Sequence, residues 1–110
     1  MRAGSPFLVV ALVLGACASV PGPSDEVERA RAAYRAAAAN PAVQARAPVE
    51  LQLAERALGD AERLHQAAVE PARVAHFAYL AERRARIAVK TAQLRTAEAA
   101  LATNSGARMR

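Results

Sequence analysis

Apolar residues fall into one short continuous run near the start of the chain and into three helix-spaced stripes after it. The run, Phe7 to Leu14, is eight residues long, far below the ~20 residues that a bilayer-spanning helix needs. The first stripe places Val27, Ala30, Tyr34 and Ala37 on one face, at the three- and four-residue steps of an amphipathic helix. Ser24 or Asp25 can cap its start, and Asp25 with Glu28 has the spacing of a capping box. Asp25, Glu26 and Glu28 also put negative charge on the positive end of the helix dipole. Asn40-Pro41 should stop this helix, and the segment from Asn40 to Pro48, bounded by prolines, predicts a connecting loop.

In the second stripe Leu51, Ala54, Leu58, Ala61, His65 and Ala68 recur at helical steps, flanked by Ala57 and Leu64. Gln52, Glu55, Arg56, Glu62 and Arg63 fall opposite them, which predicts a well-formed amphipathic helix with a solvated outer face. Glu70-Pro71 breaks the pattern, and Pro71 can open a third helix. The large residues of that helix, Leu80, Ile87, Leu94 and Leu101, form a strict seven-residue series that Phe77, Ala81 and Ala88 widen. This series is expected to be the buried seam, with Arg83, Arg86, Lys90 and Gln93 outward. Arg84, Thr91 and Glu98 interrupt it, yet the repeat leaves room for a coiled-coil partner and for self-association. Asn104, Ser105 and Gly106 are stop signals that end the helix near Ala102. At 1.5 Å per residue, thirty residues would span roughly 45 Å. The short second connection sets the last two helices antiparallel. The expected fold is therefore all-α: an alanine-rich antiparallel helical hairpin with a long C-terminal helix, preceded by a shorter helix, three helices in all.

Composition sharpens this picture. Hydrophobic residues make up 54% of the 110 but aromatics only 4%, so alanine fills most apolar positions. Alanine favours helix but buries little area, which predicts thin, closely approaching helices without a substrate-enclosing cavity. The net charge of +5 is unevenly spread. Residues 17–70 carry six arginines against eight acids, and residues 71–110 carry seven arginines and one lysine against Glu82 and Glu98. Such asymmetry marks contact with an anionic partner or, equally, solvated basic helix faces.

Around the apolar run, Met1-Arg2 supplies a positive start and Leu14-Gly15-Ala16-Cys17 follows. The run has the length of a secretory signal core, and the tetrapeptide resembles the lipobox of bacterial lipoproteins. That resemblance implies cleavage between Ala16 and Cys17 and diacylglyceryl transfer to the Cys17 thiol, followed by acylation of the new amine. Acyl chains contribute ~0.8 kcal/mol per buried methylene, so two or three anchor a protein durably. Ala18, where an aspartate could stand, resembles the pattern of lipoproteins sent to the outer membrane. The single cysteine leaves no internal disulfide. The expected division is a signal segment over 1–16, a Pro/Gly tether over 17–23, a helical domain over 24–104 and a tail over 105–110.

Arg29-Ala30-Arg31-Ala32-Ala33-Tyr34, Ala47-Pro48-Val49-Glu50-Leu51, His76-Phe77-Ala78-Tyr79-Leu80-Ala81-Glu82 and Arg86-Ile87-Ala88 together resemble a helical domain of unknown function of bacterial envelope lipoproteins. That domain often precedes an OmpA-like peptidoglycan-binding domain, which on this reading is absent here, leaving any cell-wall role to a partner protein. The resemblance implies a periplasm-facing, lipid-anchored helical protein and no reaction.

Nothing in the pattern points to catalysis. His65 and His76 lie on different predicted helices, no Gly-rich phosphate loop occurs, and no hydrolase motif is recognisable. Glu55 and Glu62 beside Arg56 and Arg63 read as a salt-bridged surface. No metal, cofactor or nucleic acid is expected. One patch stands out: Arg83, Arg86 and Lys90 share a helix face, and their charges suit phosphate or carboxylate recognition. The reading is a binding or scaffolding module with an envelope protein partner, or else a module that binds anionic lipid or lipopolysaccharide through this basic helix.

Overall fold

A computed structural model describes Gly4 and residues 22–109. Apart from Gly4, the expected signal segment lies outside the described residues, as do Cys17 and most of the tether. The described chain is all-α, with four helices: α1 (Asp25–Ala38), α2 (Pro41–Arg46), α3 (Pro48–Gln66) and α4 (Pro71–Arg108).

Helix starts follow their local chemistry. Ser24 caps α1 by accepting from the Val27 amide, and Pro48 and Pro71 occupy the first positions of α3 and α4, where a missing amide proton costs nothing. The expected loop over Asn40–Pro48 is corrected, since Pro41–Arg46 forms α2. Asn40 is extended and its side chain accepts from the Ala42 amide at 3.0 Å, a sound N-cap. Pro48 disfavours helical backbone at Ala47, so the segment yields one short helix and a sharp break. Val43 is fully buried and pins α2 against Ala88 and Ala92 of α4.

α3 ends in a Schellman turn. The Ala68 amide donates to the His65 carbonyl and the Val69 amide to the Leu64 carbonyl, each at 3.1 Å, while Leu64 and Val69 both pack on the core. Ala68 therefore sits outside the helix, at a φ of 53°, where an L side chain is strained by ~1–2 kcal/mol and glycine is not. Ala68→Gly is expected to stabilise the domain by about 1 kcal/mol, measured as a higher thermal midpoint.

The core keeps only part of the expected stripe: Ala81 and Ala88 are fully buried and Phe77 and Leu80 partly so, while the rest of the leucine and isoleucine series faces out. α4 is buried along Val74, Ala78, Ala81, Ala85, Ala88 and Ala92, at alternating steps of four and three. Ile87, Leu94 and Leu101 are 48%, 59% and 66% exposed. One residue turns a helix by ~100°, so only one of the two series can face the neighbouring helices. Alanine wins because methyl-sized side chains let helix axes approach closely. Three contiguous clusters result. Val27 and Ala30 of α1 join Ala57, Leu58 and Ala61 of α3 and the start of the α4 stripe; Ala37, Ala54 and Ala85 meet next; Val43, Ala47, Ala88 and Ala92 close the set.

α4 also continues past its expected stop at Ala102, through Asn104, Ser105 and Gly106. Extending an existing helix needs no new nucleus, and one exposed glycine costs only ~1 kcal/mol. At ~1.5 Å per residue its 38 residues span about 57 Å. Residues 100–109 are all exposed, so this end projects beyond the other helices.

Polar contacts tie the helices at their edges. Arg31 of α1 grips Glu62 of α3, with Nη2 3.0 Å from Oε1, so Glu62 faces α1 and not the solvated outer face expected for it. Arg95 of α4 meets Glu50 of α3 at 3.0 Å and also donates to the Arg46 carbonyl of α2.

Candidate functional site: a cationic ridge on α4

Arg83, Arg86 and Lys90 emerge on one side of α4 as their spacing predicts, and all three are exposed. Arg83 donates to the Tyr79 hydroxyl at 3.3 Å, and Arg86 pairs with Glu82 one turn back. Lys90 and Arg83 form no ion pair among the described residues. Ile87 lies between these cations, and with Tyr79 and Glu82 they line a shallow depression of ≈190 Å³. Arg84 does not join them: its guanidinium turns toward α3 and donates to the Leu53 carbonyl at 3.5 Å.

The ridge has two apolar flanks. Outward along α4 run Ile87, Leu94 and Leu101. On the other flank an open groove of ≈480 Å³ runs along the seam where α1 packs on α4. Ala33 of α1 and Ala85 and Val89 of α4 form its floor, and the exposed Ala32 and Ala36 its α1 side. Arg29 stands on its α1 rim, opposite Arg86 and Lys90. Sequence reasoning missed Arg29, because its partners lie more than fifty residues away and only the packing of α1 on α4 brings them together. The signal available was its spacing from Ala32, Ala33 and Ala36, one helical stripe of α1.

Shifted ionisations lie away from the ridge. The Glu26 carboxyl is held below its ordinary range by its own backbone amide and by the Ser24 hydroxyl. The Arg31 guanidinium is held further toward its charged form by Glu62 and then Glu28. Burial, with Glu55 nearby, raises the Tyr34 phenol. These are signatures of a helix cap and of the α1–α3 contact. His76 is exposed and meets Phe77 edge-on at 5.6 Å, while His65 borders a cleft between the start of α1 and the α3–α4 turn. Among the described residues, no group of three or more His, Cys, Asp or Glu is placed to hold a metal ion. No described helix is long and apolar enough to cross a membrane.

The arrangement is suited to non-covalent recognition: fixed positive charge beside exposed hydrocarbon. A family model described as a domain of unknown function, DUF4398, matches residues 25–103. The match takes in all of α1, α2 and α3 and most of α4. No curated protein and no solved structure matches the chain.

Proposed function

The chain belongs to the DUF4398 family, and from its own surface we propose that it is a lipid-anchored envelope protein that works by binding another envelope protein through the outer face of α4. The observation that carries this reading is the line of Ile87, Leu94 and Leu101, each about half exposed or more, on a helix that runs beyond its own bundle. Exposed large side chains in a row favour a protein interface over bare solvent. The lipobox-like Leu14-Gly15-Ala16-Cys17 supports an acylated Cys17 and an exported chain. Ala18 supports the outer membrane as its destination.

On this reading α3 and α4 are an antiparallel hairpin with the shorter α1 packed against both. It is supported by the pairing of Glu50 near the start of α3 with Arg95 far along α4, and by the contact of Leu58 and Ala61 with Val74 and Ala78 near the turn.

A second reading, favoured by the ridge of Arg83, Arg86 and Lys90, is binding of anionic lipid or lipopolysaccharide headgroups. One experiment separates the two. Detergent-extracted full chain is sized, and its binding to phosphatidylglycerol vesicles measured, for wild type, for Leu94→Asp with Leu101→Asp, and for Arg83, Arg86 and Lys90 all changed to Gln. Protein binding predicts that the aspartate variant loses its larger complex. Headgroup binding predicts that only the glutamine variant loses salt-sensitive vesicle binding. A wild-type chain that sizes as a lone protein overturns the first reading.

A further inference from the structure

Resting on the protein-binding reading, we propose that the groove between α1 and α4 seats an acidic amphipathic helix of the partner. The groove's shape and charge both select that occupant. Its floor consists of Ala33, Ala85 and Val89, with the exposed Ala32 and Ala36 on its α1 side. This is the same kind of methyl surface by which α4 receives its own neighbours, along Ala78, Ala81, Ala85, Ala88 and Ala92. Small floors admit a helix at close range, because the visitor's side chains can reach down between the two walls.

Both walls present their residues at helical steps, Arg29, Ala32, Ala33 and Ala36 on α1 and Glu82, Ala85, Arg86, Val89 and Lys90 on α4. Each wall therefore offers about two turns, roughly 10 Å of helix length. The rim carries cations from both sides. Arg29 and Lys90 have no ion-pair partner among the described residues, and the one acid of the rim, Glu82, is already engaged by Arg86. An occupant with apolar residues below and carboxylates on its flanks satisfies floor and rim together.

No helix among the described residues offers such an occupant. Residues 5–21 contain no Asp or Glu. On α3 the exposed Glu55 stands beside Arg56, and Asp60 is paired with Arg63, so that face is mixed in charge. On α1 the acidic turn of Asp25, Glu26 and Glu28 has its apolar residue, Val27, buried in its own core, so a second copy lacks a helix with a free apolar face and carboxylates on both flanks, and a flat headgroup plane would leave Ala33 and Val89 uncovered. The partner is another protein.

The test uses the full chain in detergent micelles and a fluorescein-labelled synthetic helix of eighteen residues, Ala/Leu on one face and Glu on both flanks. Its control replaces every Glu by Lys. Two variants attack the site independently: Arg29→Glu with Lys90→Glu reverses the rim, and Ala36→Trp, at an exposed position, fills the groove. Thermal melts establish that both fold. The expected result is salt-sensitive binding of the acidic helix only, weakened at least about tenfold in each variant and unchanged in Gln52→Ala on the exposed face of α3. Binding that survives Ala36→Trp would reduce the effect to unlocalised charge attraction and overturn the groove. Binding to phosphatidylglycerol vesicles with none to the acidic helix would overturn it in favour of lipid. Should the helix fail to bind while the native chain still forms a complex sensitive to Leu94→Asp with Leu101→Asp, the groove proposal falls and the protein-binding reading stands. A chain with neither property loses both.

Discussion

Ala81→Leu is expected to cost the domain ~1–3 kcal/mol or more, lowering the thermal midpoint by about 10 °C, whereas Ile87→Ala on the same helix is expected to change stability by less than ~0.5 kcal/mol. Ala81 is fully buried where α4 meets both α1 and α3. A leucine there must find room for three more carbon atoms among Val27, Ala30, Leu58 and Ala78, and the helices can supply it only by moving apart. Separation would also loosen the neighbouring clusters, whose alanines make contact only at close range. Domains of this size have ~5–15 kcal/mol of stability in total, so the loss is a large share. Ile87 is 48% exposed and belongs to none of the core clusters, so its removal leaves no cavity in the core. Circular-dichroism melts of the two variants decide the matter. The opposite order, a tolerant Ala81 and a critical Ile87, would place the leucine and isoleucine series inside and the alanine series outside.

Cys17→Ser is expected to have the largest effect on distribution. With the thiol gone there is no nucleophilic atom to take a diacylglyceryl group, and at ~0.8 kcal/mol per buried methylene two or three acyl chains represent many orders of magnitude in membrane partition. The described helices supply no membrane-spanning segment in compensation. Intact mass of the extracted wild-type chain should show a mature species beginning at an acylated Cys17. The serine variant should lack the acyl mass and leave the mature, membrane-bound form. Masses that differ only by the exchange of sulfur for oxygen, with equal fractionation, would rule out the lipid anchor.

Much of the secondary structure is legible in the sequence because its boundaries are set by local chemistry. Ser24, Pro48 and Pro71 announce helix starts whatever the tertiary structure does, and the apolar stripe of α1 is buried as its spacing requires, at Val27, Ala30 and Ala37. α2 is not legible by periodicity, since six residues between prolines hold less than two turns; only Asn40-Pro41, a cap followed by a first-position proline, hints at it. The seam of α4 misleads for a different reason. Hydrophobicity ranks Leu and Ile above Ala, but interhelix distance is settled by the smallest side chains that can line both surfaces. The four-three alternation of Val74, Ala78, Ala81, Ala85, Ala88 and Ala92 is present in the sequence and is the better guide in a chain this rich in alanine. Of the candidate site, Arg83, Arg86 and Lys90 are readable because they share one helix. Arg29 is not, because its place on the rim exists only once α1 has packed.

The proposed role requires that another envelope protein sits on the outer face of α4. The direct measurement is site-specific photo-crosslinking of the full chain in its native envelope, with the photoreactive residue placed in turn at Ile87, Leu94 and Leu101, and at Gln52 and Arg56 on the exposed face of α3. The predicted result is a discrete protein adduct of one mass from the three α4 positions and none from the α3 positions. Adducts of equal yield from both faces, or from neither, would contradict it.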